Sequence, residues 1–250
     1  MKRETVTSAR NPLLVHLKKL LAARSYREAC GEFAADGTKL LGEAAKWYPG
    51  LETVVVQTGV ELCPLPEHVR VVEIPESLMR SVSQMEAPQG AIFLCRLPEA
   101  RPAALRPGTL LLDGIQDPGN LGTILRTADA LEIPVVLLDG CADAYNPKTV
   151  RATMGAVFRT QPVRMTRAEA VQSCRAARIP LLATAMSADA VDLRKKNLSG
   201  CAVVIGSEGR GVSAELFAAA DGKIIIPMNP RCESLNAAAA ATIVLWQMKC

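Results

Sequence analysis

Histidine is scarce in this chain, with only His16 and His68 among 250 residues. Chemistry that depends on an imidazole acid or base is therefore disfavoured. His16 falls in a basic helical stretch and His68 in a proline-flanked loop, where structural or solvent-facing roles suit both. Long apolar runs are missing as well, and no stretch reaches the roughly 18–20 residues of a membrane span. The opening MKRETVTSARNPLL has neither the apolar core nor the small-residue cleavage site of a secretory signal. The expectation is a cytoplasmic protein that does not engage a membrane. The eight cysteines stand at 30, 63, 95, 141, 174, 201, 232 and 250, and no two have the C-x₂₋₄-C spacing of a zinc site. They are expected to be reduced, mostly buried thiols acting as small hydrophobes, and no metal is expected. There is no internal repeat and no low-complexity tract.

What is present is globular. Hydrophobic residues make up 49% and charged residues 22%, enough for one large or two modest domains with a real core. The net charge of +4 is small, but its distribution is uneven. Lys2, Arg3, Arg10, Lys18, Lys19, Arg24 and Arg27 face only Glu4 in the first 27 residues. Such a segment suits contact with a phosphate backbone, and equally a solvated helix face.

Leu13, Leu14, Leu17, Leu20 and Leu21 recur at helical spacing after Pro12. A helical stretch near Gly37–Trp47, the strand TVVVQ, the strand VRVVEI, a helix around Glu76–Met85 and the strand AIFLCR complete a small α/β unit, residues 1–98. A linker over residues 99–107 lies within the proline-bearing stretch LPEARPAALRPG. From 108 to 250 the strands TLLLD, PVVLL, PLLAT, CAVVIG and KIIIP alternate with helical segments and are apolar throughout. Continuous rather than alternating hydrophobicity marks strands covered on both faces, hence a mostly parallel sheet flanked by helices. A last helix spans Glu233–Lys249, and its alanine-rich face suits a buried helix or a subunit interface.

In open sheets of this kind ligands bind beyond the carboxyl ends of the strands. Three loops at that end are unusual. TLLLD leads into DPGNLGTILRTADA, where Leu121, Ile124, Leu125, Ala128 and Leu131 share one helix face and Arg126 lies nearly opposite. Asn120 suits an N-cap, and Arg126 read alone is a surface charge. CAVVIG leads into GSEGRGVS, whose glycines leave backbone N–H groups available beside Glu208, with Ser213 placed to cap the next helix. This loop is neither a P-loop nor a G-x-G-x-x-G fingerprint. KIIIP leads into MNPRCESLN, which sets Ser234 and Asn236 near a helix start, a place that favours polar or anionic groups.

The trio NLGTILR, VVIGSEGRGVS and IPMNPRCESLN, in this order and spacing, resembles the three motifs of the SpoU (TrmH) family of RNA ribose 2′-O-methyltransferases. NPKTVRATMGAVFR, residues 146–159, is similar to the segment this family carries between its first two motifs. The N-terminal part resembles the small substrate-binding domain of many members, with EAPQGAIFLC similar to its closing strand. The resemblance implies an enzyme of the SPOUT class that uses S-adenosyl-L-methionine (AdoMet). Its α/β catalytic domain would be threaded into a trefoil knot, preceded by an RNA-binding α/β domain, and it would work as a homodimer with its site near the interface. Gly206, Ile226, Leu235, Met228 and, less directly, Thr184 would hold the cofactor. Arg126, Asn120, Glu208, Ser234 and Asn236 would form the reactive and structural polar set. The family assigns proton removal to the arginine at position 126, against a guanidinium pKa above about 12. The substrate would be RNA, ribosomal sooner than transfer RNA. Pro230 stands where many members carry glycine, and proline removes a backbone donor there. Two other readings of the same residues are a nucleotide-binding oxidoreductase and an RNA-binding protein without catalysis. The late position of the glycine-rich loop counts against the first, and the complete polar set against the second.

Overall fold

The computed structural model describes residues 3–99, 105–229 and 231–250. Lys2, Pro230 and residues 100–104 of the linker lie outside the described residues. In chain order the elements are β1 (Arg3–Thr5), α1 (Pro12–Ala22), α2 (Arg24–Cys30), β2 (Glu32–Asp36), α3 (Thr38–Trp47), β3 (Leu51–Gln57), β4 (Arg70–Ile74), α4 (Glu76–Val82) and β5 (Ala91–Arg96). There follow β6 (Leu110–Asp113), α5 (Pro118–Ala130), β7 (Val135–Leu137), α6 (Pro147–Thr153), α7 (Ala156–Arg159), β8 (Val163–Arg164) and α8 (Arg167–Ala177). The last are β9 (Leu181–Thr184), β10 (Val191–Asp192), β11 (Ala202–Gly206), α9 (Ala214–Ala219), β12 (Gly222–Ile225) and α10 (Ala237–Lys249).

The first compact unit comprises residues 1–99 and 145–159. Its five-stranded sheet has the order β1-β4-β3-β5-β2, parallel on the β1 side and antiparallel where β5 meets β3 and β2. Asn11 accepts from the Leu13 N–H and Pro12 opens α1, a start suited to proline because the first helical N–H has no partner. Leu14, Leu17, Leu20 and Leu21 are buried against one face of the sheet, with Val55, Val72 and Ile92. On the other, Phe33, Tyr48, Phe93, Phe158 and the half-buried Tyr145 form an aromatic cluster, with centroids of neighbouring rings 4.8–6.4 Å apart. Residues Tyr145–Arg159 group with this unit through that cluster, and Arg159 pairs with Glu43 of α3. The basic leading segment offers fewer free charges than its sequence suggests. Arg27 is buried and donates to the Leu20 carbonyl at 2.6 Å, Arg3 pairs with Glu73, and Arg24 pairs with Glu28.

The second unit comprises residues 100–144 and 160–250. Its seven strands run β10-β12-β9-β11-β6-β7-β8, and every neighbouring pair is parallel. This is the α/β fold with a parallel sheet flanked by helices that the continuous apolar strands require. Leu110–Leu112, Leu181–Ala183 and Ala202–Ile205 are all buried. Because the strands are parallel, β6, β9, β11 and β12 release their following loops at one edge. Gly206 at the end of β11 is in register with Asp113 at the end of β6, so the loops after these strands start side by side.

Several expectations are corrected. The thiols divide more evenly than expected: Cys95, Cys141, Cys174 and Cys201 are buried and Cys63 half-buried, while Cys30, Cys232 and Cys250 are exposed. The last helix begins at Ala237, not Glu233, because Asn236 accepts from the N–H groups of Ala238 and Ala239 and so fixes the start. Among the described residues no helix is long and apolar enough to cross a membrane.

Candidate active site

Helix α5 is oriented by its apolar face. Leu121, Ile124, Leu125 and Ala128 are buried, and each leucine or isoleucine contributes roughly 1.5–3 kcal/mol relative to exposure. That rotation turns Asn120 and Thr123 to the solvent-facing side. The cap of this helix is Asp117, not Asn120: the Asp117 carboxylate accepts from the Asn120 backbone N–H at 2.8 Å, and Pro118 takes the first helical position. Aspartate three residues earlier reaches this N–H with the extended backbone a cap requires. Asn120 lies inside the first turn, and its side chain is released for another task.

That task is a relay of side chains. The Asn120 Nδ2 donates to Glu208 Oε1 at 2.6 Å, and Asn236 Nδ2 donates to Asn120 Oδ1 at 3.0 Å. The Asn236 Oδ1 meanwhile caps α10. One chain of hydrogen bonds thus links the start of α10, the start of α5 and the glycine-rich loop after β11. Each amide uses its carbonyl as acceptor and its NH₂ as donor, and Glu208 closes the chain as a carboxylate, which only accepts.

The glycine-rich loop folds onto itself. Ser207 and Gly211 exchange backbone hydrogen bonds at 3.1 and 2.9 Å, and the Arg210 N–H donates to Ser207 Oγ at 3.3 Å. The loop therefore presents fewer free N–H groups than its glycines suggest. Gly206 is needed because a Cβ there would stand 1.9 Å from the Gly211 carbonyl carbon and 2.1 Å from the Val212 nitrogen, a clash with backbone that forces the loop to shift. Ser213 does not close a side-chain cap on α9. Its N–H instead donates at 2.7 Å to the buried Asp113 carboxylate, which also accepts from Arg167 Nε at 2.8 Å. Asp113, absent from the sequence reading, thereby ties the far end of the loop to β6. Its position as the last residue of a buried apolar strand was the available signal.

Between the loops lies a cavity of 560 Å³, within the ordinary range of about 300–1,000 Å³ for small-molecule sites. Gly206, Ile226, Met228, Leu235 and Thr184 all line it, as do Glu208 and Ser234. The Thr184 hydroxyl is engaged with the Val204 carbonyl at 3.1 Å. Asn120 and Asn236 reach the cavity through Glu208 and do not line it. Arg126 is exposed, does not line the cavity, and has no hydrogen-bond or ion-pair partner among the described residues. Ile226, Met228 and Leu235 give the cavity an apolar wall, while Glu208, Glu233 and Arg210 add charges of both signs. That combination fits AdoMet, which joins a flat nucleoside to a cationic sulfonium and a zwitterionic amino acid.

Comparison with known proteins gives the family. Residues 107–246 match the SpoU rRNA Methylase family, and residues 11–92 match the MRM3-like substrate binding domain. The 23S rRNA (guanosine(2553)-2′-O)-methyltransferase RlmP of Bacillus subtilis is 33% identical over 98% of this chain and 98% of its own length. The AdoMet-bound rRNA methyltransferase structure from Sinorhizobium meliloti superposes with a TM-score of 0.86 at 29% identity, covering 99% of this chain and 97% of that one. The AdoMet complex of the SpoU methyltransferase AviRb from Streptomyces viridochromogenes gives a TM-score of 0.83 at 29% identity, over 96% of this chain and 97% of that one. Fold and site together define an AdoMet-dependent RNA methyltransferase. The chain belongs to the SpoU rRNA methylase family.

Proposed function

We propose that this protein transfers the methyl group of AdoMet to the 2′-hydroxyl of a ribose in ribosomal RNA. AdoMet supplies an electrophilic methyl carbon on its sulfonium. The protein must align the ribose oxygen with that carbon and see the hydroxyl proton removed. The observation that carries the reading is the Asn236–Asn120–Glu208 relay, which ends in a carboxylate on the cavity wall. In this proposal Gly206, Ile226, Met228, Leu235 and Thr184 hold the cofactor. Glu208, Asn120 and Asn236 join the starts of α5 and α10 to the glycine-rich loop and so set the position of α5, which carries Arg126. Ser234, on the cavity wall, offers a hydroxyl to the ribose. Arg126, charged and unengaged, grips the phosphate and hydroxyl of the target nucleotide.

The same proposal divides the labour between residues 1–98, which select the RNA, and 108–250, which carry out transfer. A cytoplasmic homodimer and a C-terminal segment threaded as a trefoil knot belong to it as well. Two observations support the dimer. The outer side of α10 leaves Ile243 and Trp246 exposed to 40% and 63%, and Arg126 stands apart from the cavity of its own chain. Calorimetric titration of the full chain with AdoMet tests the cofactor site. Mapping 2′-O-methyl positions in ribosomal RNA from cells with and without the gene tests the substrate. A silent titration together with an unchanged methylation map would overturn the reading.

A further inference from the structure

Away from the cavity, three side chains of different chemistry converge in the first unit. His16 of α1, Cys30 at the end of α2 and Glu32 at the start of β2 each bring one ligand atom to within 4.8 Å of the others. Among the described residues this is the one such group of three. Gly31 makes it possible: its φ of 68° is a left-handed conformation open to glycine without steric cost. The chain turns there from α2 directly into β2, and two residues separated by one glycine reach the same imidazole. His16 and Glu32 are half-buried and Cys30 is exposed, so the cluster is open to small solutes.

The histidine is already oriented. Its Nδ1 lies 2.9 Å from the Tyr26 hydroxyl and its Nε2 lies 2.7 Å from Glu32 Oε2. The two rings pack edge to face with centroids 5.5 Å apart. A hydroxyl at Nδ1 that accepts the ring N–H leaves the Nε2 lone pair free on the side of Glu32, with the Cys30 sulfur inside the same 4.8 Å cluster. This is the arrangement by which outer partners set the tautomer of a metal-binding histidine.

We propose that His16, Cys30 and Glu32 form a binding site for a divalent transition metal, with Zn²⁺ the best match and a fourth position open to water. One imidazole, one thiolate and one carboxylate are a set that zinc accepts, whereas calcium and magnesium prefer oxygen throughout. Ligand distances of about 2.0–2.3 Å place tetrahedral donors roughly 3.3–3.8 Å apart. The three atoms therefore close on an ion by side-chain rotation, and the direct His16–Glu32 contact opens to admit it. The Cys30 thiol releases its proton to solvent as the thiolate binds. Sequence spacing conceals the site because its ligands come from α1 and from both sides of a glycine turn. The competing state is the metal-free hydrogen bond between His16 Nε2 and Glu32.

Titration of the full chain with Co²⁺ under reducing conditions separates the two. One equivalent is expected to bind, with thiolate-to-cobalt charge-transfer absorption and the ligand-field bands of a tetrahedral ion, and Zn²⁺ is expected to displace it. Cys30→Ser should abolish the charge-transfer band, and His16→Gln or Glu32→Gln should weaken binding at least tenfold. Cys250→Ser, at an exposed thiol elsewhere, should change nothing. Tyr26→Phe should keep the stoichiometry and lower affinity by about 10–100-fold, as loss of an outer partner does. Far-UV dichroism of each metal-free variant controls for folding. Absence of the band at one equivalent, or its persistence in a folded Cys30→Ser variant, overturns the proposal whatever the methylation assays show.

Discussion

Asn120 and Asn236 stand 116 residues apart in sequence and share a hydrogen bond of 3.0 Å. The first belongs to the opening turn of α5 and the second caps α10, so two helix starts are locked by one pair of amides. The pair continues into Glu208 on the cavity wall. Loops that follow three different strands are thereby held as one surface.

Asn120→Ala removes the middle of the relay without touching the cavity lining. A hydrogen bond to a charged group contributes about 1.5–3 kcal/mol, so turnover is expected to fall roughly 10–150-fold. AdoMet affinity, measured by calorimetry, should move by less than about threefold, well under 1.4 kcal/mol. Equal losses in both quantities would mean that Asn120 shapes the cofactor pocket and not the reaction.

Gly206→Ala tests the close approach inside the glycine-rich loop. The added carbon meets backbone at 1.9 Å, so the loop must be displaced. AdoMet binding should disappear, while far-UV dichroism retains the parallel sheet. An alanine variant that binds AdoMet normally would show that the loop can move aside.

Arg126→Lys keeps the charge and loses the planar fork. If Arg126 engages both phosphate and hydroxyl, turnover should fall by at least about tenfold, corresponding to roughly 1.4 kcal/mol, with AdoMet affinity unchanged. Wild-type turnover in this variant contradicts a specific role for the guanidinium.

Trp246→Glu places a charge on the exposed apolar side of α10. Sedimentation is expected to show a monomer, and turnover should fall with it, while AdoMet binding is affected less. A variant that remains a fully active dimer removes this surface from the interface.

Asp36 gives a pH test of the first unit. Burial raises its carboxyl pKa, even though the Ser83 hydroxyl and the Arg151 charge pull the other way. A raised folded-state pKa means that the contribution to stability is complete below the ordinary carboxylate value of about 3.9 and is lost as pH rises through the folded value. An asparagine side chain mimics the neutral form. The advantage in unfolding temperature of Asp36→Asn over wild type should therefore be near zero at about pH 3 and positive at about pH 7. The opposite trend would make the ionised Asp36 a net stabilising partner of Arg151.

The parallel sheet was legible in the sequence because strands covered on both faces must be apolar throughout, as in LLLD and AVVIG. The three loops were legible because glycine and small polar residues cluster after those strands. Edge elements were not. Arg3–Thr5 is a fully exposed strand of polar residues, and Val191–Asp192 has only two, so neither leaves a hydrophobic pattern. Glu32–Asp36 hides for another reason, since three apolar residues between two acids also read as a loop. Asn120 carried two meanings, cap or bridge, and only the proximity of Asp117 decided between them. Arg27 shows the reverse failure, a charge that sequence places in solvent and packing places in the core.

The most direct test of methyl transfer to ribose uses AdoMet labelled on the methyl group and ribosomal RNA from cells lacking the gene. Alkaline hydrolysis cleaves RNA through a free 2′-hydroxyl and spares the bond next to a 2′-O-methyl ribose. The expected result is label in one alkali-resistant dinucleotide, dependent on Arg126 and Asn120. Label in free mononucleotides, as for a methylated base, or no incorporation into any ribosomal RNA, would contradict it.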